Sequence, residues 1–299
     1  VVQEAKEQVK QMAENVEITA DNGFFENDLL VREEYVPNLP FEHLIDKFIC
    51  GDAVRVMRAL PSESIDLIFT SPPYNLRNST GNGMKDGRGG KWANAALING
   101  YIEHDNCMPH EEYVAWQREC LTEMIRLIKE DGAIFYNHKW RVQNGLLQDR
   151  RDIVEGFPVR QIIIWHRNGG INFNPSYFLP TYEVIYLIAK PRFKLAKGAN
   201  KYGDVWNIGQ ELNNPHPAPF PLVLAERVIS STNAKLVLDP FIGSGTVAVA
   251  AKKLGRNFIG IDKVPEYLKM AIRRLREKPL QDINTNSYRH TQLCLFKGE

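Results

Sequence analysis

Short apolar runs alternate along this chain with stretches in which apolar residues return every three or four positions. Residues 47–50, 65–69, 133–136, 159–165, 182–189, 236–238 and 257–261 are of the first kind and predict strands. Most are too continuously apolar to leave one face in water, as in a covered parallel sheet. Val54, Met57 and Leu60 predict a helix that Pro61 ends. Val114, Leu121, Met124, Ile125 and Leu127 predict a long helix over 111–130, closed by Asp131-Gly132. Leu146 and Leu147 suggest another helix, and residues 222–229 and 247–254 two more. Val2, Ala5, Val9, Met12, Ala13 and Val16 fit a short amphipathic helix at the start. Strands alternating with helices predict an α/β fold with a mostly parallel sheet and helices on both faces.

Two strand ends carry special turns. The strand 65–69 runs into Thr70-Ser71-Pro72-Pro73-Tyr74. Proline lacks an N–H, fixes φ and restricts the residue before it, so Ser71 and the turn carbonyls are held rigid. Tyr74 adds a flat aromatic face with a polar tip. Acceptors beside a stacking platform suit an exocyclic amine on a flat ring, such as a base taken out of its stack. Alone, the motif reads equally well as a proline turn after a core strand.

The second turn is Asp239-Pro240-Phe241-Ile242-Gly243-Ser244-Gly245-Thr246, between a strand and a helix. Glycines let backbone approach a ligand, and a helix N-terminus offers unpaired N–H groups. The following strand ends in Asp262, a position from which a carboxylate holds ribose hydroxyls. No lysine follows Gly245, as a P-loop requires, and no third glycine completes a dinucleotide fingerprint. A ligand with a ribose and a carboxylate but no pyrophosphate fits better, and S-adenosylmethionine is one.

Composition narrows the partners. The 299 residues are 43% hydrophobic and 24% charged, enough for one large domain or one domain with an accessory piece. The longest apolar runs are strand-sized, so no membrane partner is expected. The N-terminus shows no secretory signal pattern. Net charge is +1, but residues 1–40 hold nine acids and three bases (−6), leaving +7 on the remainder. A polyanion is allowed, provided that its contacts are local. The glycine-rich stretch 76–110 contributes Lys85, Arg88 and Lys91 next to the proline turn, and the basic stretch 190–205 contributes Lys194, Lys197 and Lys201. These six are the candidate phosphate contacts; solvated loops are the plain alternative. Cys50, Cys107, Cys120 and Cys294 are scattered, as in reduced intracellular proteins. His104, Cys107 and His110 match no standard metal site, so no metal is expected.

Together the two turns resemble those of the amino-methylating DNA methyltransferases. S-P-P-Y ahead of the glycine turn matches the permuted order of the beta group, and the resemblance covers residues 45–275. It implies a Rossmann-like methyltransferase fold, with methyl transfer from S-adenosylmethionine to the exocyclic amine of a flipped base in double-stranded DNA. Asp239, Pro240, Phe241, Gly243, Ser244, Gly245 and Thr246 would line the cofactor, Asp262 would hold its ribose and Asp52 its adenine. Ser71, Pro72, Pro73 and Tyr74 would hold the target base. The implied organisation is an acidic extension (1–44), a catalytic domain (45–285) and a tail (286–299), with a mobile loop at 76–110 and target recognition in 168–214. A homodimer and a cognate restriction endonuclease remain open as partners, and the implied location is cytoplasmic, at the nucleoid when bound to DNA.

Members that methylate cytosine N4 usually carry S-P-P-Y, and those that methylate adenine N6 usually carry D-P-P-Y. Phe220 stands where the adenine enzymes usually have lysine. Both features favour cytosine N4. Adenine N6 is the alternative, and a non-catalytic nucleic-acid-binding module on the same fold is a further one, as is methylation of RNA or protein.

Overall fold

The computed structural model describes residues 24–25, 29–75, 108–143, 146–167, 175–210 and 220–277. In chain order the elements begin with β1 (Phe24–Phe25), β2 (Leu30–Arg32), β3 (Lys47–Cys50), α1 (Ala53–Ala59) and β4 (Ile65–Thr70). They continue with α2 (His110–Leu127), β5 (Ile128–His138), β6 (Arg141–Gln143), β7 (Leu146–Gln148), α3 (Arg151–Val154), β8 (Val159–His166) and β9 (Tyr182–Ala189). The last are β10 (Val205–Asn207), α4 (Leu222–Ser230), β11 (Leu236–Asp239), α5 (Thr246–Lys253), β12 (Asn257–Asp262) and α6 (Pro265–Arg276).

Ten strands form one sheet in the order β1-β2-β3-β12-β11-β4-β5-β9-β8-β10. Every pairing from β2 to β5 is parallel. Only β9, between β5 and β8, and the edge strand β1 pair antiparallel within it. Alternate residues of each central strand face opposite layers. Phe48, Leu67, Phe69, Phe135, Val237 and Phe258 pack with α4, α5 and α6, through Leu224, Val228, Val247, Ala248 and Leu268. Ile49, Ile68, Ile134, Tyr136, Leu238 and Ile259 pack with α1 and α2, through Met57, Tyr113, Leu121 and Met124. Both faces are covered, which is why these strands read as unbroken apolar runs. Each fully buried side chain of this kind contributes about 1.5–3 kcal/mol of transfer free energy.

The structure differs from the sequence pattern in three places. The long helix ends at Leu127, and Ile128 is already strand, paired with Ile65 and fully buried. A register shift between Ile65 and Leu67 lets residues 129–132 bulge before Ala133 rejoins β4. Burying Ile128 against β4 outweighs three more helical residues. Leu146 and Leu147 form no helix but the second strand of a two-stranded hairpin, 70% and 56% exposed. Two adjacent leucines define no helical face, and only Arg151–Val154 winds a turn. At the N-terminal side, β2 pairs with β3, and Val36 and Leu44 are buried. The packed domain therefore takes in residues 29–44, ahead of the expected start at 45. The helix expected over 2–16, the stretch 76–107 and the tail from 278 lie outside the described residues, as do Lys85, Arg88 and Lys91.

The site is positioned by one feature of this order. Adjacent strands β11 and β4 hand the chain in opposite directions, through α5 to β12 on one side and α2 to β5 on the other. A crevice opens outside the carboxyl ends of strands at such a switch point. Both sequence turns, Ser71 to Tyr74 and Asp239 to Thr246, leave the sheet there.

Candidate active site

On the β11 side, Asp239 is buried, and its Oδ1 accepts from Thr70 Oγ1 (2.7 Å) and Phe241 N (3.0 Å). The first bond ties the glycine turn to the last residue of β4. Burial pushes the Asp239 carboxyl up to about 7, against the pull of those two hydrogen bonds, and the Asp262 charge adds to the rise. On the next strand, Asp262 accepts from Val264 N (2.9 Å) and Gly243 N (3.0 Å). Its carboxyl is pushed up to about 6, mainly by desolvation, which outweighs those bonds and nearby Lys263. Phe241 is partly exposed beside this pair, edge-on to Trp116 at 5.8 Å between ring centroids. Two neighbouring carboxyls, Asp239 buried and Asp262 half-buried, beside an aromatic face fit a cationic ligand that carries a ribose. S-adenosylmethionine meets that description.

The rest of the glycine turn is tied to α6. Arg274 on α6 donates to Ser244 O (2.8 Å), Ser244 Oγ (2.8 Å) and Thr246 Oγ1 (3.1 Å). Gly245 has φ +82°, and a methyl there would lie 2.7 Å from Ala271 Cβ. These three residues thus anchor the turn to α6, and their identity is explained by that packing. Gly243 (φ +48°) bends the backbone so that its N–H meets Asp262. Asp52 follows β3, beside the end of β12, where Gly51 N donates to Asp262 O (3.1 Å). Its Oδ1 caps α1 by accepting from Val54 N and Arg55 N, both at 3.1 Å, so this oxygen already serves a helix start. Pro240 links the two halves of the turn without a side-chain polar group.

On the β4 side the proline turn is backed by a polar network. Ser71 Oγ and Tyr74 Oη are 2.7 Å apart. Tyr74 Oη donates to Glu183 Oε2 (3.2 Å). Asn137 Nδ2 donates to Glu183 Oε2 (2.8 Å) and Tyr74 Oη (2.9 Å), and lies 3.3 Å from Ser71 Oγ. Arg167 Nη1 pairs with Glu183 Oε1 at 3.2 Å, with both side chains about one-tenth exposed. A second layer holds the turn backbone. Tyr113 Oη donates to Pro73 O (3.1 Å), lies 2.7 Å from His138 Nε2, and accepts from Gln117 Nε2 (3.2 Å). Tyr136 in turn donates to Gln117.

Tyr74 is not the open platform that the sequence suggests. It is 6% exposed, and one face stacks on His138 at 4.7 Å. Its hydroxyl is the hub of the network. Phe220 packs into the core against Phe69, at 4.7 Å between centroids. Asn137, His138, Glu183 and Arg167 escaped the sequence reading. The first three come from β5 and β9 and the last follows β8, and no local motif marks them; only the antiparallel pairing His138↔Val184 brings them beside the turn.

Lys194, Lys197 and Lys201 are all exposed, but the structure does not bring them to this crevice. Lys190, just before them, pairs with Glu63 (3.1 Å) and Glu130 (3.4 Å), where β4 and β5 begin. Ala196 N donates to Ser231 O (2.9 Å), ahead of β11. This segment therefore lies at the opposite pole of the sheet, a strand length of about 20 Å away. The sequence reading of this stretch as a nucleic-acid surface would therefore put nucleic acid at the pole away from the proline turn. His110 is paired with Asp152 at 2.7 Å, and no metal-binding cluster occurs among the described residues. No helix among them is long and apolar enough to cross a membrane. Burial pushes the Cys50 thiol up to about 11, and Cys120, inside α2, higher still.

The N6/N4 methylase family model, described as DNA methylase, matches residues 65–273, which include both turns and the network between them. The chain is 28% identical to the type II methyltransferase M.BglII of Bacillus subtilis, over 94% of this chain and 81% of that one. Among solved structures, the PvuII DNA methyltransferase, cytosine-N4-specific, superposes with a TM-score of 0.61 at 20% identity, covering 83% of this chain and 90% of that one. A Thermus thermophilus protein described as a DNA modification methylase, solved with S-adenosyl-L-methionine, superposes with a TM-score of 0.55 at 26% identity, covering 76% and 92%. The chain belongs to the N6/N4 DNA methylase family, and its fold is the Rossmann-like one of these enzymes. It is an enzyme of amino methylation in DNA.

Proposed function

We propose that the enzyme methylates cytosine N4 in double-stranded DNA, with S-adenosylmethionine as donor. The observation that carries this reading is Ser71, a neutral hydroxyl just past the end of β4 that lies against Tyr74 and Asn137. Bound S-adenosylmethionine supplies an electrophilic methyl group on a sulfonium. The protein supplies the rest. Asp239, Asp262 and Phe241 hold the cationic, ribose-bearing ligand on one side of the crevice. Ser71 Oγ and the Pro72 carbonyl accept from the two N–H bonds of the target amine on the other. Drawing on those bonds favours a pyramidal nitrogen and frees its lone pair for in-line attack. Pro72 and Pro73 keep these acceptors fixed, so little reorganisation is needed as charge develops. S-P-P-Y is the turn that members methylating cytosine N4 usually carry, and Phe220 stands where the adenine enzymes usually have lysine. Adenine N6 is the second reading, since its amine meets the same two acceptors.

DNA approaches the pole where β4, β5 and β12 end. Phe178, 97% exposed, precedes β9 on that side, where Arg167 N donates to Thr181 O (2.7 Å), and it suits stacking on bases. The substrate class is tested with labelled methyl donor on duplex DNA, RNA and protein. Label in duplex DNA alone is expected; label only in RNA or protein overturns the reading.

Two cation clusters separate cleanly in the same system. Lys85, Arg88 and Lys91 follow the proline turn in sequence and remain our proposed phosphate contacts. Neutralising all three is expected to flatten the dependence of log K on log salt by about 0.9 for each phosphate no longer neutralised. Neutralising Lys194, Lys197 and Lys201 is expected to leave that slope unchanged, because they sit at the far pole. A flattened slope in the second variant would put DNA there instead.

A further inference from the structure

Counting donors through the network at Ser71 gives each hydrogen bond a direction. Arginine only donates, and a carboxylate paired with it only accepts. Arg167 lies 3.2 Å from Glu183 Oε1. Glu183 Oε2 can therefore meet Tyr74 Oη, at 3.2 Å, only by receiving the single phenolic proton. With that proton spent, the 2.7 Å contact between Tyr74 and Ser71 requires Ser71 to donate. Asn137 agrees: its Nδ2 must face the carboxylate at 2.8 Å, and so it also donates to Tyr74 at 2.9 Å. Ser71 has then used its only proton and is left with lone pairs.

We propose that Glu183, held by Arg167, is a positioning and specificity-determining residue: it orients the protons of Tyr74 and Ser71 so that Ser71 meets the target base only as an acceptor. This rests on the reading above that Ser71 touches the target amine, and it holds for cytosine and adenine alike. The consequence is discrimination by atom type. An amine offers N–H to the Ser71 lone pair. A carbonyl in the same place, as in uracil or hypoxanthine, would set lone pair against lone pair.

Glu183→Gln tests the idea with almost no change in shape. The amide can keep its oxygen on Arg167 and turn its NH2 toward Tyr74. The Tyr74 proton would then move toward Ser71, and the Ser71 proton toward the base. The substrate is a duplex carrying the site mapped by sequencing methylated product DNA, with the target amine base or its keto counterpart at that position. Wild-type protein should bind the amine duplex more tightly than the keto duplex. In Glu183→Gln that preference should fall at least tenfold and kcat about 10- to 100-fold, with the S-adenosylmethionine dissociation constant unchanged. Tyr74→Phe breaks the relay without touching the buried ion pair, and carries the test should Glu183→Gln not fold; the same loss of preference is expected. Retained preference and turnover in the folded variants would overturn the proposal. Ser71→Ala, measured alongside, separates the two levels. If it too keeps preference and turnover, the Ser71 contact itself is wrong; if it alone loses them, only the relay is wrong.

Discussion

Asp239→Asn is expected to stabilise the apoprotein at pH 8 while weakening S-adenosylmethionine binding at least tenfold. The amide keeps an oxygen to accept from Thr70 Oγ1 and Phe241 N and removes a buried charge. The sign follows from the raised carboxyl. Folding lifts Asp239 from 3.8 to about 7, so the folded protein holds this proton more tightly than the unfolded chain. The corresponding stability is present below about pH 4 and disappears as pH rises through about 7. At pH 8 the wild type bears the full cost, at most about 4 kcal/mol from about three pKa units at about 1.4 kcal/mol each. The asparagine variant avoids it, and its stability should vary less between about pH 5 and 8. A buried carboxylate kept at such a cost makes sense where a cation arrives to meet it. Thermal unfolding across this pH range, with calorimetry for the ligand, checks both halves. A variant that is less stable and binds normally would make Asp239 a structural residue only.

Ser71→Ala is expected to lower kcat by about a hundredfold and leave cofactor affinity unchanged. Removing one preorganised polar group that acts on a transition state typically costs a factor of that order. Tyr74 still has Glu183 and Asn137 as partners, so the turn is expected to hold. The split matters more than the size: loss in kcat with intact cofactor binding marks an interaction made in the transition state. Parallel loss of cofactor affinity would instead mean that the crevice had been distorted.

The fold was legible because its central strands are covered on both faces and therefore read as unbroken apolar runs. Phe48 and Ile49, or Ile68 and Phe69, each serve opposite layers. The site was legible where chemistry lies in a contiguous turn, as at Ser71 to Tyr74 and Asp239 to Phe241. It was not where the chemistry is assembled across strands. Glu183 looks in sequence like an acid before an apolar run, and Asn137 like the end of a strand; only the antiparallel β5–β9 pairing gives them a shared role. Nor does the glycine pattern show that Ser244, Gly245 and Thr246 are tied to α6 through Arg274 and Ala271. For the lysines after β9, composition carries no information about which end of the sheet a loop leaves from.

The most direct test of the account is to identify the methylated nucleoside. Duplex DNA of mixed sequence is incubated with the protein and S-adenosylmethionine, digested to nucleosides, and resolved by chromatography before mass analysis, since 5-methylcytosine has the same mass as the N4 isomer. The account predicts N4-methyldeoxycytidine. N6-methyldeoxyadenosine as the sole product would contradict the proposed base and leave the amine-accepting role of Ser71 standing; 5-methyldeoxycytidine would contradict that role as well.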